Sequence, residues 1–331
     1  MDATQAPTKA PPLADLLATA RVVALPLVTR FRGIDVREAV LLEGPNGWTE
    51  FSPFTEYDDV EAVAWLAAAI DFGWAVEPVR LRDRIPVNAT LPAVAASEVA
   101  GVLARFPGCR TVKAKVGAAP LAEDVARIAA TRALLGPDGR IRIDANGSWT
   151  VDEAERAIHA LAEFDLEYVE QPCETVDELA QVRKRVKYMG IPIAADESVR
   201  KAEDPLAVAR AGAADILVIK AQPLGGITAA LRIAAEAGLP VVVSSALDTS
   251  VGISMGLALA AALPTLDYDC GLATAALLAA DVTDTPLIPV DGALPVTRVN
   301  PAAALLDAHA ADSERRDWWI ARLERTHALL P

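Results

Sequence analysis

The sequence predicts an α/β protein: a (β/α)8 barrel of the TIM type with a small α+β capping domain at its amino end, completed by the carboxy-terminal segment. Two observations predict the barrel. Seven apolar, β-branched runs alternate with helical stretches, and the polar residues at six of their ends, Lys115, Asp144, Glu170, Asp196, Lys220 and Ser244, stand 29, 26, 26, 24 and 24 residues apart. That period suits one parallel strand plus one crossover helix. A third observation predicts the cap: the repeat is preceded by three strand-like runs and a single helix, a different pattern over about sixty residues.

Taken in order, residues 1–20 are rich in Pro and Ala and read as a flexible tail. Residues 21–83 form the capping domain. RVVALPLVTR, REAVLLEG and GWTEFSP read as strands, Asn46-Gly47 supplies the turn between the last two, and Asp58 to Trp74 reads as a helix. Residues 84–280 form the barrel, with strands IPVNAT, TVKAKVG, IRIDANG, LEYVEQP, IPIAADES, DILVIKAQ and PVVVSSALD, and a fainter eighth at Leu266 to Gly271. Thr150 with Glu153, and Thr175 with Glu178, have the spacing of capping boxes; Asp204-Pro205 opens another helix, and Gly136 and Gly238 close two more. Residues 281–331 leave the repeat and end in a helix, RRDWWIARLERTHALL. That helix is expected to pack on the cap, with Trp318 and Trp319 as anchors.

A chain of 331 residues, 53% hydrophobic, has the size for a barrel plus a small attachment. Its 31 basic and 45 acidic residues leave a net charge of −14, which repels nucleic acid and anionic membranes. An anionic small molecule remains admissible, because a metal and a few lysines reverse the local sign. Cys109, Cys173 and Cys270 are odd in number and unpaired in spacing, so neither a disulfide framework nor a zinc site is indicated. The amino terminus lacks the pattern of a signal peptide, and the longest apolar run, Val251 to Pro264, is too short to span a bilayer. The expectation is a soluble, unprocessed, cytoplasmic protein.

Charged residues interrupt barrel strands that would otherwise be apolar on both faces. Lys113 and Lys115, two apart, point to one side of a strand, while Asp144, Glu170, Asp196 and Lys220 each terminate another. All belong to the carboxyl-terminal mouth, where barrels of this kind build their chemistry. Three carboxylates with no His or Cys beside them favour Mg²⁺, with Mn²⁺ as a substitute, over softer metals. The alternative is a buried ion network in which the acids neutralise the lysines. Glu197 and Asn146 are candidates to orient the ligands. His159, His309 and His327 fall in helical or terminal regions, which leaves proton transfer to lysine. Lys115, beside Lys113 in a desolvated pocket, is the candidate base. Lys220, across the barrel, is the candidate stabiliser of developing negative charge. Three lysines, three carboxylates and Mg²⁺ sum to about +2, suiting a small dicarboxylate substrate. Gly225, Gly226, Ser244 and Ser245 are further candidates for substrate contact, and Asp267 and Asp269 for a substrate ammonium.

KAK, DAN, VEQP, ADES and IK followed by GG, in that order on successive strands, resemble the muconate-lactonizing subgroup of the enolase superfamily. FRGIDVREAVLLEGPNGWTEF, VEQPCETVDEL, IPIAADESVRKAEDPLA, PLGGI and VVVSSALDTSVG are similar to the actinobacterial o-succinylbenzoate synthases. The resemblance runs from about Arg21 to the end of the chain. It implies that Asp144, Glu170 and Asp196 bind Mg²⁺, and that Lys115 removes the proton α to a carboxylate and returns it to a departing hydroxyl. Lys220 would stabilise the intermediate from the other face. The implied reaction is dehydration of 2-succinyl-6-hydroxy-2,4-cyclohexadiene-1-carboxylate to 2-succinylbenzoate, in menaquinone biosynthesis. It also implies a cap whose loops at 30–33 and 50–54 shape specificity. An N-acylamino acid racemase or dipeptide epimerase would use the same machinery with two opposed lysines, and a non-catalytic carboxylate-binding barrel is the more distant alternative.

Overall fold

The computed structural model describes residues 10–200 and 204–331; residues 1–9 of the expected tail lie outside the described residues. The rest of that segment is not a loose tail. Leu13–Thr19 form a helix, α1, with Leu16 fully buried, because Leu13, Leu16 and Leu17 fall on one helical face. Strands β1 (Arg21–Phe31), β2 (Ile34–Gly44) and β3 (Gly47–Phe51) make an antiparallel sheet in that order. The turn before β3 places Gly47 at φ +110°, where only glycine is comfortable. Helix α2 (Asp59–Trp74) starts at Asp58, whose carboxylate accepts from the Glu61 amide at 2.8 Å. It buries Trp65, Leu66 and Phe72.

The first expected barrel strand divides in two. β4 (Arg84–Pro86) pairs outside the barrel, and β5 (Ala89–Leu91) enters it. After helix α3 (Val99–Leu103) come β6 (Thr111–Lys115), α4 (Leu121–Leu135), β7 (Arg140–Asp144), α5 (Val151–Leu161), β8 (Leu166–Glu170) and α6 (Val176–Val186). The alternation continues through β9 (Ile193–Ala195), α7 (Glu197–Arg200), α8 (Ala207–Arg210), β10 (Ile216–Ile219), α9 (Ile227–Ala237), β11 (Val241–Val243) and α10 (Ser250–Ala262). Thr150 and Thr175 form the expected capping boxes of α5 and α6.

Strands β5 to β11 lie side by side in sequence order, every pair parallel. The eighth stave is reduced to Cys270 and Gly271, which bridge Val87 on one edge and Ser244 on the other. The Asn88 amide donates to the Cys270 carbonyl at 3.0 Å and the Gly271 amide to that of Val243 at 2.8 Å, so the ring closes. Tyr168, Ala194, Ile216, Val218 and Val242 form a small apolar cluster of their own. They alternate with residues of the large core under the helices, as expected of strands buried on both faces.

Beyond the barrel, β12 (Ala293–Pro295) pairs with β4. Helices α11 (Ala303–Ala308) and α12 (Ser313–Ala328) follow, and α12 returns to the cap. Trp319 is fully buried edge-on to Phe51 and donates its indole N–H to Glu38 Oε2 at 2.9 Å; Trp318 stacks edge-on against it. No described helix is long and apolar enough to cross a membrane.

Candidate active site

Parallel pairing sets the levels of the site. Lys115 lies opposite Asp144 and Asp144 opposite Glu170, while Glu170 faces Ala194 on the next strand. Asp196 stands two residues past Ala194, on the same side and one step nearer the mouth. Lys220 immediately follows β10. Counting staves in the ring of eight, β6 and β10 are four apart and therefore opposed.

Lys113, Lys115, Asn146, Lys220, Ser244 and Ser245 line one cleft, as do Thr90 and Leu247 from the barrel and Phe31, Arg32 and Phe54 from the cap loops. The Arg32 guanidinium lies 4.4 Å from the centre of the Phe54 ring, and Lys115 Nζ lies 5.6 Å from the centre of the Phe31 ring. Gly225 and Gly226 do not line it. They begin α9 against the cap, where a Cβ on Gly226 would fall 2.6 Å from Asp71 Cβ. Asp71 accepts the Ile227 amide at 2.7 Å, so Gly226 serves the cap–barrel contact, and neither glycine lines the cleft where substrate contact was expected. Asp269 accepts from Thr111 at the amino end of β6, the wrong end of the barrel for the mouth, and Asp267 is exposed. His159 bonds Tyr188 on the outer surface of α5, and His327 bonds the Pro11 carbonyl.

Beneath the cleft the charges are paired. Lys113 Nζ holds both oxygens of Glu170, at 2.8 and 3.0 Å, and stands 3.4 Å from Asp144 Oδ2. Lys115 Nζ donates to Asp144 Oδ2 at 2.5 Å and to Asn146 Oδ1 at 2.8 Å. Lys220 Nζ donates to Asp196 Oδ2 at 2.5 Å, and Arg200 takes the other oxygen at 3.1 Å. Asn146 also bonds Glu197 Oε1, which Arg200 grips at 2.7 Å; Arg200 and Arg32 both donate to the Tyr57 hydroxyl of the cap. Asn146 and Glu197 thus join the two sides of the site. Arg32 lies in the cap loop expected to shape specificity, and Arg200 in a stretch that carries the family resemblance, but neither was singled out as a site residue, and Tyr57 gave no signal at all. Arg142, in the barrel below, was missed too; it stacks on Tyr168 and donates to Asn88 Oδ1.

Burial dominates the electrostatics. It would lower the Lys113 ammonium's pKa, but Glu170 and Asp144 reverse this and hold it above the usual lysine range. Burial, then the Asp144 charge, pushes Glu170 up to about 7. Asp144 and Asp196 resist burial because Lys115 and Lys113, and Lys220 and Arg200, hold them far below the usual carboxylate range. Burial lowers Lys220, with Asp196 opposing. The three acids expected to share one cation do not converge on a common point: among the described residues no three carboxylates, histidines or cysteines do. Each acid is turned to a lysine. Glu197 Oε2 is meanwhile buried without a hydrogen-bond partner.

A barrel with opposed lysines over buried acids, closed by a small α+β cap, defines an enolase-type protein. Residues 93–301 match the enolase C-terminal domain-like family and residues 22–73 the enolase N-terminal domain-like family. The o-succinylbenzoate synthase of Mycobacterium tuberculosis (strain ATCC 25618 / H37Rv) is 55% identical over 97% of both chains, and that of Mycobacterium marinum 55% identical over 96% of both. This chain belongs to the o-succinylbenzoate synthase family. In fold it is similar to muconate lactonizing enzyme from Pseudomonas putida, at TM-score 0.74 and 21% identity over 88% of this chain and 98% of that one. The 2-chloromuconate cycloisomerase from Rhodococcus opacus 1CP gives TM-score 0.75 and 24% identity over the same shares.

Proposed function

We propose that the chain is an o-succinylbenzoate synthase, a hydro-lyase that converts 2-succinyl-6-hydroxy-2,4-cyclohexadiene-1-carboxylate to 2-succinylbenzoate and water, in the cytoplasm, as a step of menaquinone formation. The observation that carries the reading is the pair of lysines, Lys115 and Lys220, on opposed staves facing one cleft. Lys115 takes the proton α to the ring carboxylate and gives it back to the hydroxyl leaving from the same face, so the bond to hydrogen and the bond to oxygen break on one side. Lys220 faces the carboxylate from the other side, where its ammonium offsets the charge that grows as the proton leaves. Lys113 keeps its charge beside Glu170 and fixes that carboxylate.

Asp144, Glu170 and Asp196 are the residues that would hold Mg²⁺, with Mn²⁺ as a substitute. The fit rests on their oxygen-only chemistry at the ends of successive staves, where Lys113 Nζ already sits 2.8 Å from Glu170 and 3.4 Å from Asp144; to share one ion each acid would turn from its lysine. When bound, the ion would bind the substrate carboxylate and neutralise its added charge. Arg200 and Glu197 carry opposite charges and cancel, while Arg32 at the cleft adds one, so with a divalent ion the mouth is about +3, suited to a substrate with two carboxylates.

The racemase reading loses Asp269, which bonds at the far end of the barrel. The deciding experiment is turnover of the cyclohexadiene acid with and without EDTA. Release of 2-succinylbenzoate that stops on chelation and returns with Mg²⁺ supports the proposal. Deuterium exchange into N-acylamino acids without turnover of the cyclohexadiene acid would move the assignment to a racemase, and neither activity would leave a non-catalytic barrel.

A further inference from the structure

Ser244, Ser245, Ala246 and Leu247, in the turn from β11 to α10, form one wall of the cleft. Leu247 sits at φ +64°, a left-handed conformation that a leucine disfavours and keeps only where its surroundings hold it. The holding group comes from the other domain. Arg37, on β2 of the cap and 2% exposed, donates Nε to the Leu247 carbonyl at 2.9 Å. Its Nη2 donates to the carbonyl and hydroxyl of Ser52, and its guanidinium lies 4.5 Å from the centre of the Phe54 ring. Glu50 on β3 secures the far side of the same turn. Its Oε2 accepts the Thr249 and Gly252 amides, each at 3.1 Å, and the Thr249 hydroxyl at 2.6 Å. A Cβ on Gly252 would lie 2.7 Å from that oxygen, so glycine is what lets Glu50 reach the helix start.

We infer that Arg37 is a positioning residue for substrate binding: from the cap, and without lining the cleft itself, it holds Leu247 left-handed and so sets the Ser244–Leu247 wall. This rests on the reading of the cleft as the dehydratase site. A guanidinium suits the task because its planar fork reaches acceptors on two loops at once, which an ammonium cannot do in the same space.

The test compares Arg37→Met and Arg37→Lys with and without Leu247→Gly, reading KM and kcat for the cyclohexadiene acid and amide hydrogen exchange over residues 244–249. In the Leu247 background, Arg37→Met is expected to raise KM roughly 10-fold or more while kcat falls less, and to speed exchange in that turn. Arg37→Lys should recover little. In the Leu247→Gly background the effect of Arg37→Met should shrink several-fold, because glycine adopts the left-handed turn unaided. Additive effects of the two substitutions, an unchanged KM, or unchanged exchange would each overturn the inference. Should Arg37→Met not fold, Arg37→Lys in the two backgrounds carries the same comparison. If the unmodified protein turns over no cyclohexadiene acid, the proposed function falls, and exchange over residues 244–249 still decides the role of Arg37.

Discussion

Lys113 and Lys115 stand two residues apart on one strand and hold different acids: Lys113 takes both oxygens of Glu170, and Lys115 takes Asp144 together with Asn146. Their accessibility differs accordingly. Lys113 is 8% and Lys115 15% exposed at the side chain, so of the two amines that line the cleft the deeper braces the acids and the shallower is the more open to it.

Replacing Lys113 by Met is therefore expected to act first on stability. It leaves Glu170 buried without its bonded counter-charge, only the more distant Lys115 remaining, a loss on the order of 3–5 kcal/mol for a broken buried pair. Denaturant unfolding of the metal-free variant at pH 8 measures it. A loss below about 1 kcal/mol would show that the pair is not what keeps Glu170 tolerable.

Lys115→Ala and Lys220→Ala should each lower kcat on the order of 10³-fold with the circular dichroism spectrum unchanged, the usual size of a lost acid–base or electrostatic group. Near-full activity in Lys115→Ala would refute the assigned base.

Asn146 links Lys115 to Glu197 while its own amide donates to Asp144 Oδ1 at 2.9 Å. Asn146→Ala is expected to weaken activity or Mg²⁺ dependence by about 10–100-fold, as losses of groups that orient metal ligands do. Activity measured against free Mg²⁺ separates a shifted midpoint from a lower plateau.

The strand-end pattern was legible because a barrel strand should be apolar on both faces. Lysines and acids recurring every 24 to 29 residues therefore stand out, and so did the caps at Thr150 and Thr175. The eighth stave was legible only faintly, at Leu266 to Gly271, since its two bridging residues, Cys270 and Gly271, have no periodicity to detect. Gly225-Gly226 misled because a glycine pair after a strand has the same sequence signal whether it admits a ligand or, as here, the Asp71 side chain. Arg37, Tyr57 and Arg200 escaped for a third reason. Their partners lie 210 residues away for Arg37 and Leu247, and 143 for Tyr57 and Arg200, and no local pattern encodes such a contact.

Glu50 gives the fold a pH dependence away from the proposed metal ligands. Burial, then the neighbouring Asp248 charge, raises it to about 7 against the opposing Arg37. Between the ordinary glutamate value of 4.5 and about 7 the folded protein holds a proton that the unfolded chain has released, so stability falls as pH rises through that window. The shift caps the effect at about 3 kcal/mol, shared with Asp248. Urea midpoints at pH 5 and pH 8 should differ more for the unmodified protein than for Glu50→Gln; equal differences would rule the linkage out.

The last prediction concerns the carboxy-terminal helix. Arg322 on α12 is 1% exposed, and it donates to the carbonyls of Phe54 at 3.2 Å and Tyr57 at 2.6 Å, with its guanidinium beside Trp318 and Trp319. Phe54 lines the cleft, and the Tyr57 hydroxyl receives Arg200 and Arg32. A residue of the carboxy-terminal helix thus fixes the backbone of the loop that faces the cleft. Arg322→Met keeps much of the volume but removes two hydrogen bonds from a charged donor, each contributing about 1.5–3 kcal/mol, while the Phe54 carbonyl keeps the Tyr57 amide at 3.1 Å. A lower unfolding midpoint is expected together with a raised KM, because the loss is borne by the cap loop while Lys115 and Lys220 keep their strand-end positions. Steady-state kinetics well below the unfolding temperature separate the two effects. A lower midpoint with KM unchanged would confine Arg322 to holding the helix, and would show that the cap loop keeps its shape without it.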